Sequence, residues 1–190
     1  MDLIEKTNNL AELEMLCRRC ALCPLAGTRQ NVVFGQGSGE TGIFMLGEAP
    51  GAKEDQLGQP FVGRAGDVLN LALGRAGLDR DQVFITGSVK CRPPRNRNPH
   101  RDEIAACRAY LDRQLKLLAS RVVVCMGLVA VQNLLSIKPR LADIRGKLFD
   151  GPSCRLLPTY HPAAVLRGSA PMEALVEDFR LAAFEAGLTR

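Results

Sequence analysis

The stretch Ile43–Gly66, with the sequence IFMLGEAPGAKEDQLGQPFVGRAG, joins a short apolar run to a long loop rich in glycine. The apolar residues IFML predict a buried β-strand, and apolar residues at helical spacing resume after the loop. Glycine permits sharp turns and a close approach of the backbone to a ligand. A polar loop of this length between two apolar elements is typical of a functional site. The stretch therefore predicts a strand, a ligand-binding loop and a helix in succession.

The same alternation of strand and helix patterns continues along the chain. Helices are predicted at about Leu10–Arg19, Ala65–Ala76, Arg101–Ala119, 127–135 and Met172–Ala186. Strands are predicted at Ile43–Leu46, Val83–Thr86, Arg121–Cys125, Lys147–Phe149 and Arg155–Pro158. This order predicts an α/β fold with a mainly parallel sheet between helices, and such sheets bind ligands at the carboxyl ends of their strands. We expect the glycine loop, the Gly87–Ser88 segment and Thr159–Arg167 to converge at that edge, in a single domain.

Composition excludes some classes of protein without identifying one. The 190 residues carry a formal net charge of +5, which is compatible with a nucleic-acid partner but does not by itself indicate one. No apolar run is long enough to span a bilayer, so a membrane is not an expected partner. The N-terminal residues are acidic and lack the apolar core of a signal peptide. We expect a cytoplasmic protein.

Charge is concentrated in one segment that follows the second predicted strand. Five basic residues fall within twelve positions and are interrupted by prolines: Lys90, Arg92, Arg95, Arg97 and Arg101. Proline prevents a regular helix here, so the pattern predicts a rigid basic loop. The loop could be only a solvated charge cluster. Contact with phosphates is favoured because the guanidinium groups alternate with turn residues.

Seven cysteines in a cytoplasmic chain do not indicate a disulfide framework. Cys125 and Cys154 lie in apolar segments and are predicted to be small buried hydrophobic residues. The other five could supply the four thiolates of a zinc site or an iron–sulfur cluster, and their spacing does not choose between the two: Cys17, Cys20, Cys23, Cys91 and Cys107.

Two further groups of side chains are candidates for a catalytic or binding role. The glycine loop carries the carboxylates of Glu48, Glu54 and Asp55 just past a strand, where carboxylates can move protons or orient water. A plain turn would explain the glycines but not these groups. His161 follows the last strand, and a lone histidine is more often structural than catalytic. The segment YHPAAVLR that contains it ends in Leu166 and Arg167, which suits an apolar wedge and a phosphate contact, although helix packing of the leucine is an alternative.

Three motifs in order carry a family resemblance: GEAPGxxEDxxGxPFVGxAG, ITxxVKCRPPxNRxP and HPAxxLR, with paired cysteines upstream. They resemble the family 4 uracil-DNA glycosylases, over almost all of the chain from Cys17 to Arg180. The resemblance implies a bacterial or archaeal base-excision enzyme with a [4Fe–4S] cluster. It also implies a three-layer α/β/α fold around a four-stranded parallel sheet. The implied partner is DNA that contains uracil or another deaminated base, and we expect a monomer.

The resemblance assigns the cluster to four of the cysteines. The implied ligands are Cys20, Cys23, Cys91 and Cys107, and a set that uses Cys17 together with Cys20 remains open. The resemblance, and not the spacing, favours iron–sulfur over zinc. The cluster would join the cysteine-rich segment at about residues 10–30 to the basic loop and thereby position the loop's arginines, Arg92, Arg95 and Arg97, for DNA.

The resemblance also assigns roles in the reaction. Phe61 would stack on a uracil that has been flipped out of the duplex. His161 would donate a hydrogen bond to uracil O2 as negative charge develops on the base. Glu48 would orient or activate water, or offset positive charge on the sugar, with Glu54 as a further catalytic helper. Ala49 and Asp55 would contact the substrate, and no lysine is placed as an imine-forming nucleophile, so no lyase activity is expected.

One position departs from the family pattern. The family has Asn where this chain has Gly87, and that amide reads the Watson–Crick edge of uracil. Ser88 or backbone amides could replace it, the site could accept other deaminated bases, or activity could be low. Two other functions stay open: a family member that holds or traps uracil-DNA without turnover, and a zinc-stabilised or electron-transfer module that binds DNA.

Overall fold

The computed structural model describes residues 2–135, 137 and 139–188. The helices are α1 Asp2–Glu5, α2 Leu10–Arg18, α3 Ala52–Leu57, α4 Arg64–Ala76, α5 Arg101–Leu117, α6 Leu128–Leu135, α7 Leu141–Ile144, α8 Pro162–Leu166 and α9 Met172–Glu185. The strands are β1 Ile43–Gly47, β2 Phe84–Gly87, β3 Val122–Met126, β4 Phe149–Asp150 and β5 Arg155–Thr159. Short 3-10 helices cover Pro24–Gly27 and Pro94–Asn96. No helix in the described part of the chain is long and apolar enough to cross a membrane.

The sheet has the strand order β2-β1-β3-β5-β4. The first four strands in that order are parallel, and Leu46 of β1 lies between Thr86 of β2 and Cys125 of β3. The expected mainly parallel sheet is thus confirmed, but the sheet has five strands where four were expected. The fifth strand, β4, has two residues and pairs antiparallel with β5 through Phe149 and Leu156.

Helices cover both faces of the sheet because the strands are apolar on both faces. Phe44 and Leu46 of β1 pack with Leu13 of α2 and Leu111 of α5 on one face. The other face buries Ile43 and Met45 against α4 and α9, where the side chains include Leu69, Leu73 and Phe179. Continuous apolar strands of this kind are typical of parallel sheets that are covered on both sides. The expected three-layer α/β/α arrangement is confirmed.

Four parallel strands end at the same edge of the sheet. The chain leaves β1 at Gly47, β2 at Gly87, β3 at Met126 and β5 at Thr159, and each of these exits leads into a loop or a helix start. The expected convergence of the glycine loop, the Gly87 segment and the His161 segment is therefore confirmed. This edge carries the candidate site.

Candidate active site and thiol cavity

A cavity of about 650 Å³ opens at the carboxyl edge of the sheet. Three parts of the chain that the sequence singled out contribute to its lining: the glycine loop, the basic loop and the segment after β5. Of the predicted site residues, the following line it: Glu48, Ala49, Glu54, Phe61, Gly87, Arg97, His161 and Arg167. The volume is sufficient for a nucleobase with its sugar, because ligand pockets commonly range from about 300 to 1,000 Å³.

Phe61 occupies its place because two glycines leave room for it. Its backbone has a positive φ of 51°, which is uncommon for a residue with a side chain. A Cβ atom on Gly47 would lie 2.7 Å from the Phe61 ring, and one on Gly66 would lie 1.9 Å from the Phe61 carbonyl oxygen. Glycine at both positions thus lets the aromatic ring rest against the end of β1.

Glu54 stabilises the turn that carries Phe61. Its Oε1 accepts hydrogen bonds from the backbone amides of Val62 and Gly63, each at 2.9 Å. Arg80 supports the same turn from outside by donating to the Pro60 carbonyl oxygen at 2.7 Å. Glu54 lines the cavity, but its carboxylate is engaged in holding the loop by the hydrogen bonds from these two amides.

His161 has a defined tautomer when it is neutral. Its Nδ1 accepts a hydrogen bond from the Ala163 amide at 3.1 Å at the start of α8, so the proton of the neutral ring lies on Nε2. Burial lowers the pKa of His161 to about 4, the positive charge of Arg167 adds to this effect, and the carboxylate of Glu54 opposes it. Near pH 7 the ring is therefore a neutral hydrogen-bond donor.

Glu48 contributes a carboxylate to the same cavity directly after β1. Burial raises the pKa of Glu48 above its ordinary value. Among the described residues, no side chain or backbone amide donates a hydrogen bond to this carboxylate, whereas Glu54 accepts two. Glu48 is therefore the carboxylate of the cavity that can bind a water molecule or face a sugar.

Two of the predicted substrate contacts lie outside the lining. Ser88 is buried, and its hydroxyl donates to the Gly47 carbonyl oxygen at 3.0 Å. Asp55 is also buried, and its Oδ1 accepts from the amides of Gln30 and Asn31 at 2.9 and 3.3 Å. Both side chains hold neighbouring backbone segments together, so neither is in a position to read a base in this structure.

The basic loop engages two of its three predicted DNA-binding arginines internally. Arg97 forms a two-pronged ion pair with the buried Glu103, at 2.7 and 2.8 Å, and Arg92 donates to Asn96 Oδ1 at 2.7 Å. Arg95 is exposed and has a positive φ of 56°. Of the three predicted DNA-binding arginines of this loop, it is therefore the exposed one.

The predicted apolar wedge, Leu166, lies next in sequence to a residue that lines the cavity. Leu166 is the last residue of α8 and has 38% of its surface exposed, which is high for a leucine. Arg167 is exposed beside it and lines the cavity. An apolar side chain that is partly exposed thus lies next in sequence to a guanidinium group that lines the cavity.

Some lining residues had no role assigned from the sequence. They include Asn96, Asn98, Leu128, Leu141 and Tyr160. The two asparagines alternate with arginines in the basic loop, which is a signal that could have found them. Leu141 had no such signal, because only the tertiary fold brings α7 to the cavity.

Comparison with known proteins agrees with this geometry. The chain matches the model of the uracil DNA glycosylase superfamily over residues 34–180. It is 43% identical to a type-4 uracil-DNA glycosylase of Pyrobaculum aerophilum, with 96% of each chain covered. This chain belongs to the type-4 uracil-DNA glycosylases. Two other members are similar to it: one from Sulfurisphaera tokodaii at 40% identity, covering 95% of this chain and 83% of the relative, and one from Archaeoglobus fulgidus at 38%, covering 93% and 92%.

A second cavity of this family member collects the cysteines of the paired motif and of the basic loop. Its lining contains the thiols of Cys17, Cys20, Cys23, Cys91 and Cys107. Burial raises the pKa of Cys17 and of Cys91, and it raises that of Cys107 to about 11. These thiols therefore stay protonated until a bound cation favours the thiolate form. Cys125 is buried as predicted, whereas Cys154 is partly exposed because it precedes β5 in a turn.

The lining residues of the thiol cavity supply a donor set for a metal centre. Within the described residues, no three cysteine, histidine, aspartate or glutamate side chains are arranged to hold a metal ion. Four thiolates bound to one zinc ion would lie about 3.8 Å apart, whereas a [4Fe–4S] cluster inserts its own irons and sulfides between them. Five cysteines line one cavity with no carboxylate among the lining residues, and this thiol-rich set fits either a zinc ion or an iron–sulfur cluster.

Proposed function

We propose that this protein excises uracil from DNA by hydrolysing the bond between the base and the deoxyribose, which leaves an abasic site. One observation carries the proposal. In a member of the type-4 family, a single cavity brings together the aromatic ring of Phe61, the neutral histidine donor His161 and the unpaired carboxylate of Glu48. These are the groups that departure of a uracil anion requires.

The roles of the three groups follow from the charges that develop. When the C1′–N1 bond breaks, its electron pair goes to the base and the sugar gains oxocarbenium character. The Nε2 proton of His161 stabilises the negative base, and the Glu48 carboxylate stabilises the positive sugar or takes a proton from the attacking water. The Phe61 ring stacks on the base, a contact worth roughly 1–3 kcal/mol. Glu54 acts by holding the Phe61 turn.

The base-reading edge of the cavity is the finer part of the proposal. Gly87 occupies the position of the family's asparagine and offers no side chain to the base, and the Ser88 hydroxyl is engaged with Gly47. We propose that backbone groups and stacking select the base. A site that lacks a reading amide discriminates less, so other deaminated bases are candidate substrates.

DNA contacts are proposed at the cavity rim. Arg95 and Arg167 are exposed and can meet phosphates without breaking an internal bond, and Leu166 can enter the position that the flipped base leaves. Arg92 and Arg97, which are bonded to Asn96 and to Glu103 of α5, would act by shaping the loop.

We propose a [4Fe–4S] cluster held by Cys20, Cys23, Cys91 and Cys107, with Cys17 as an additional thiol. The cluster would supply a cross-link between the N-terminal segment and the basic loop and would take no part in hydrolysis. A single domain over residues 1–190, a monomeric state and a cytoplasmic location complete the proposal.

The test uses oligonucleotides that carry uracil, hypoxanthine, xanthine or an undamaged base at one position. Release of uracil with strand cleavage only after alkali is the expected result, and Glu48→Gln is expected to slow it by roughly a hundredfold. Absence of abasic sites with every deaminated base would contradict the proposal. Strand cleavage without alkali would contradict the absence of lyase activity, and a covalent protein–DNA adduct would indicate the trapping alternative.

Single Cys→Ser variants test the cluster assignment. Iron content and visible absorption should fall for each of the four proposed ligands and stay unchanged for Cys17→Ser, with Cys125→Ser as a buried control outside the cavity. Zinc in place of iron would contradict the proposal. Retention of iron in Cys23→Ser together with its loss in Cys17→Ser would assign the alternative ligand set.

A further inference from the structure

A fully buried lysine lies between the two cavities. Lys90 is 1% exposed and precedes the proposed cluster ligand Cys91. Its Nζ donates to the Thr86 hydroxyl at 2.7 Å and to the Gly87 carbonyl oxygen at 2.9 Å. Gly87 lines the base cavity, and Lys90 lines the thiol cavity. One side chain therefore touches the walls of both sites.

The contacts of Lys90 continue into the rest of the fold. Thr86 Oγ1 donates to the Phe34 carbonyl oxygen at 2.8 Å, and the same oxygen accepts from the buried side chain of Gln114 at 2.9 Å. The Lys90 carbonyl oxygen accepts from the Val33 amide at 2.8 Å. Helix α5, strand β2 and the segment before β1 are thus linked through buried polar groups, which leaves Lys90 little freedom to move.

The charge of Lys90 has an unusual set of neighbours. Lys90 lines the thiol cavity together with Cys17, Cys91 and Cys107, and its ammonium forms no ion pair with a carboxylate among the described residues. A buried ammonium without a counter-ion is costly, because hydroxyl and carbonyl oxygens only partly replace water. Four thiolates around a [4Fe–4S] cluster would supply negative charge on that side.

We propose that Lys90 is a positioning residue that couples the two sites, by balancing the charge of the thiolate-bound cluster while holding the Gly87 carbonyl in the wall of the base cavity. The inference rests on the proposed function, since it takes Gly87 to be part of the base site. It accounts for a charged side chain at a buried position that takes no part in the reaction. The proposal also gives Lys90 two separate effects. Its charge acts on the cluster, and its hydrogen bond acts on the geometry of the base site.

The experiment compares three variants of the full-length, cluster-loaded protein at equal iron content. Lys90→Met removes the ammonium and keeps an unbranched side chain, Thr86→Val removes one acceptor and keeps the charge, and Lys116→Met is a control on the exposed face of α5. The first readout is the cluster's midpoint potential from a redox titration followed by visible absorption. The second is the Kd for an oligonucleotide in which 2′-fluorination protects the deoxyuridine from hydrolysis.

Lys90→Met is expected to shift the potential to more negative values, because loss of a nearby positive charge disfavours the reduced cluster. It should also weaken binding, by up to about tenfold, because the Gly87 segment loses a hydrogen bond that fixes its position before DNA binds. Thr86→Val should weaken binding with little change of potential, and Lys116→Met should change neither. A wild-type potential and Kd in Lys90→Met, with only lower thermal stability, would overturn the coupling.

Thr86→Val keeps the test decisive if Lys90→Met does not fold. An unchanged Kd in Thr86→Val, or a potential shift in it, would then overturn the proposal. Failure of the proposed function gives a different result, in which the wild-type protein binds the uracil oligonucleotide no better than a thymine control. The potential shift in Lys90→Met is measurable in that case too, because it does not depend on DNA.

Discussion

The rings of Phe61 and His161 are stacked, with centroids 5.6 Å apart and 29° between their planes. The two residues are 100 positions apart in the sequence, and the Phe61 ring also rests on Gly47 at the end of β1. The proposed stacking group and the proposed donor therefore support each other. A change that moves one ring is expected to disturb the other.

Gly47→Ala tests this relationship without touching either ring. The new Cβ would lie 2.7 Å from the Phe61 ring and displace it, so we expect a roughly 10- to 100-fold loss of kcat/KM, the cost of one aromatic–base contact. Gly74→Ala is the matched control, because no atom lies within 4 Å of its new Cβ and alanine favours helix α4 by up to about 1 kcal/mol. In a Phe61→Ala background, Gly47→Ala should cause little further loss. A full additional loss there would contradict the explanation.

His161 predicts a specific dependence of stability on pH. Its pKa in the folded protein is about 4, against 6.5 for the free side chain. Between these values the unfolded chain binds the additional proton, so the free energy of unfolding decreases as the pH falls from 6.5 towards 4. Above pH 6.5 both states are neutral and the effect vanishes. In urea titrations, His161→Gln should lack this component, and parallel wild-type and variant curves between pH 4 and 6.5 would contradict it.

Substitutions of Glu48 and of Glu54 should affect activity and stability differently. Glu54→Ala leaves two amides of the Phe61 turn without an acceptor, so we expect a loss of about 1–3 kcal/mol in the free energy of unfolding and a raised KM. Glu48→Gln should lower kcat while stability at neutral pH stays equal or rises, since burial disfavours the charged carboxylate. Steady-state kinetics and denaturant unfolding separate the two cases. Equal stability losses in both variants would contradict the assignment.

Gly87→Asn, which introduces the residue that the proposal assigns to the family at this position, meets a steric obstacle. A Cβ at this position would lie 2.8 Å from the Val89 carbonyl oxygen, so the backbone must shift. Gly87→Ala measures that cost alone, which we expect to be about 1–3 kcal/mol in unfolding free energy. Compared with Gly87→Ala, Gly87→Asn should prefer uracil over hypoxanthine by at least about tenfold. Identical base preference in the two variants would contradict the correspondence of position 87 to the family's asparagine.

Most of the fold could be predicted from local patterns. Helix α4 begins one residue before its predicted start and ends at Ala76 as predicted, where Gly77 adopts the left-handed conformation with φ of 77°. Helix α3 was missed, and strand β4 was predicted at Lys147–Phe149 but covers Phe149–Asp150, for physical reasons. Helix α3 has six residues, too few to show a helical repeat of apolar side chains, and strand β4 has only two. Both depend on tertiary contacts more than on their own sequence.

The site was predictable in membership but not in contacts. Motifs identified Phe61 and His161, but nothing in them indicates that the two rings stack. The buried positions of Ser88 and Asp55 were missed because hydroxyls and carboxylates are ordinarily exposed, and only the fold shows that backbone groups satisfy them. The pairing of Arg97 with Glu103 was missed for a similar reason, because a cluster of arginines before a helix resembles a free basic patch.

The thiol cavity has a consequence for the order in which the two sites form during synthesis. Its cysteines come from α2 and the loop after it, from the segment after β2, and from α5. During synthesis on the ribosome, the first three thiols emerge long before Cys107, so the cavity cannot close until α5 has been translated. The base cavity needs α8 and is completed later still. Iron delivery to the nascent chain before α5 emerges would meet an incomplete and solvent-exposed set of thiols, so insertion of the proposed cluster is expected to be a late step in maturation.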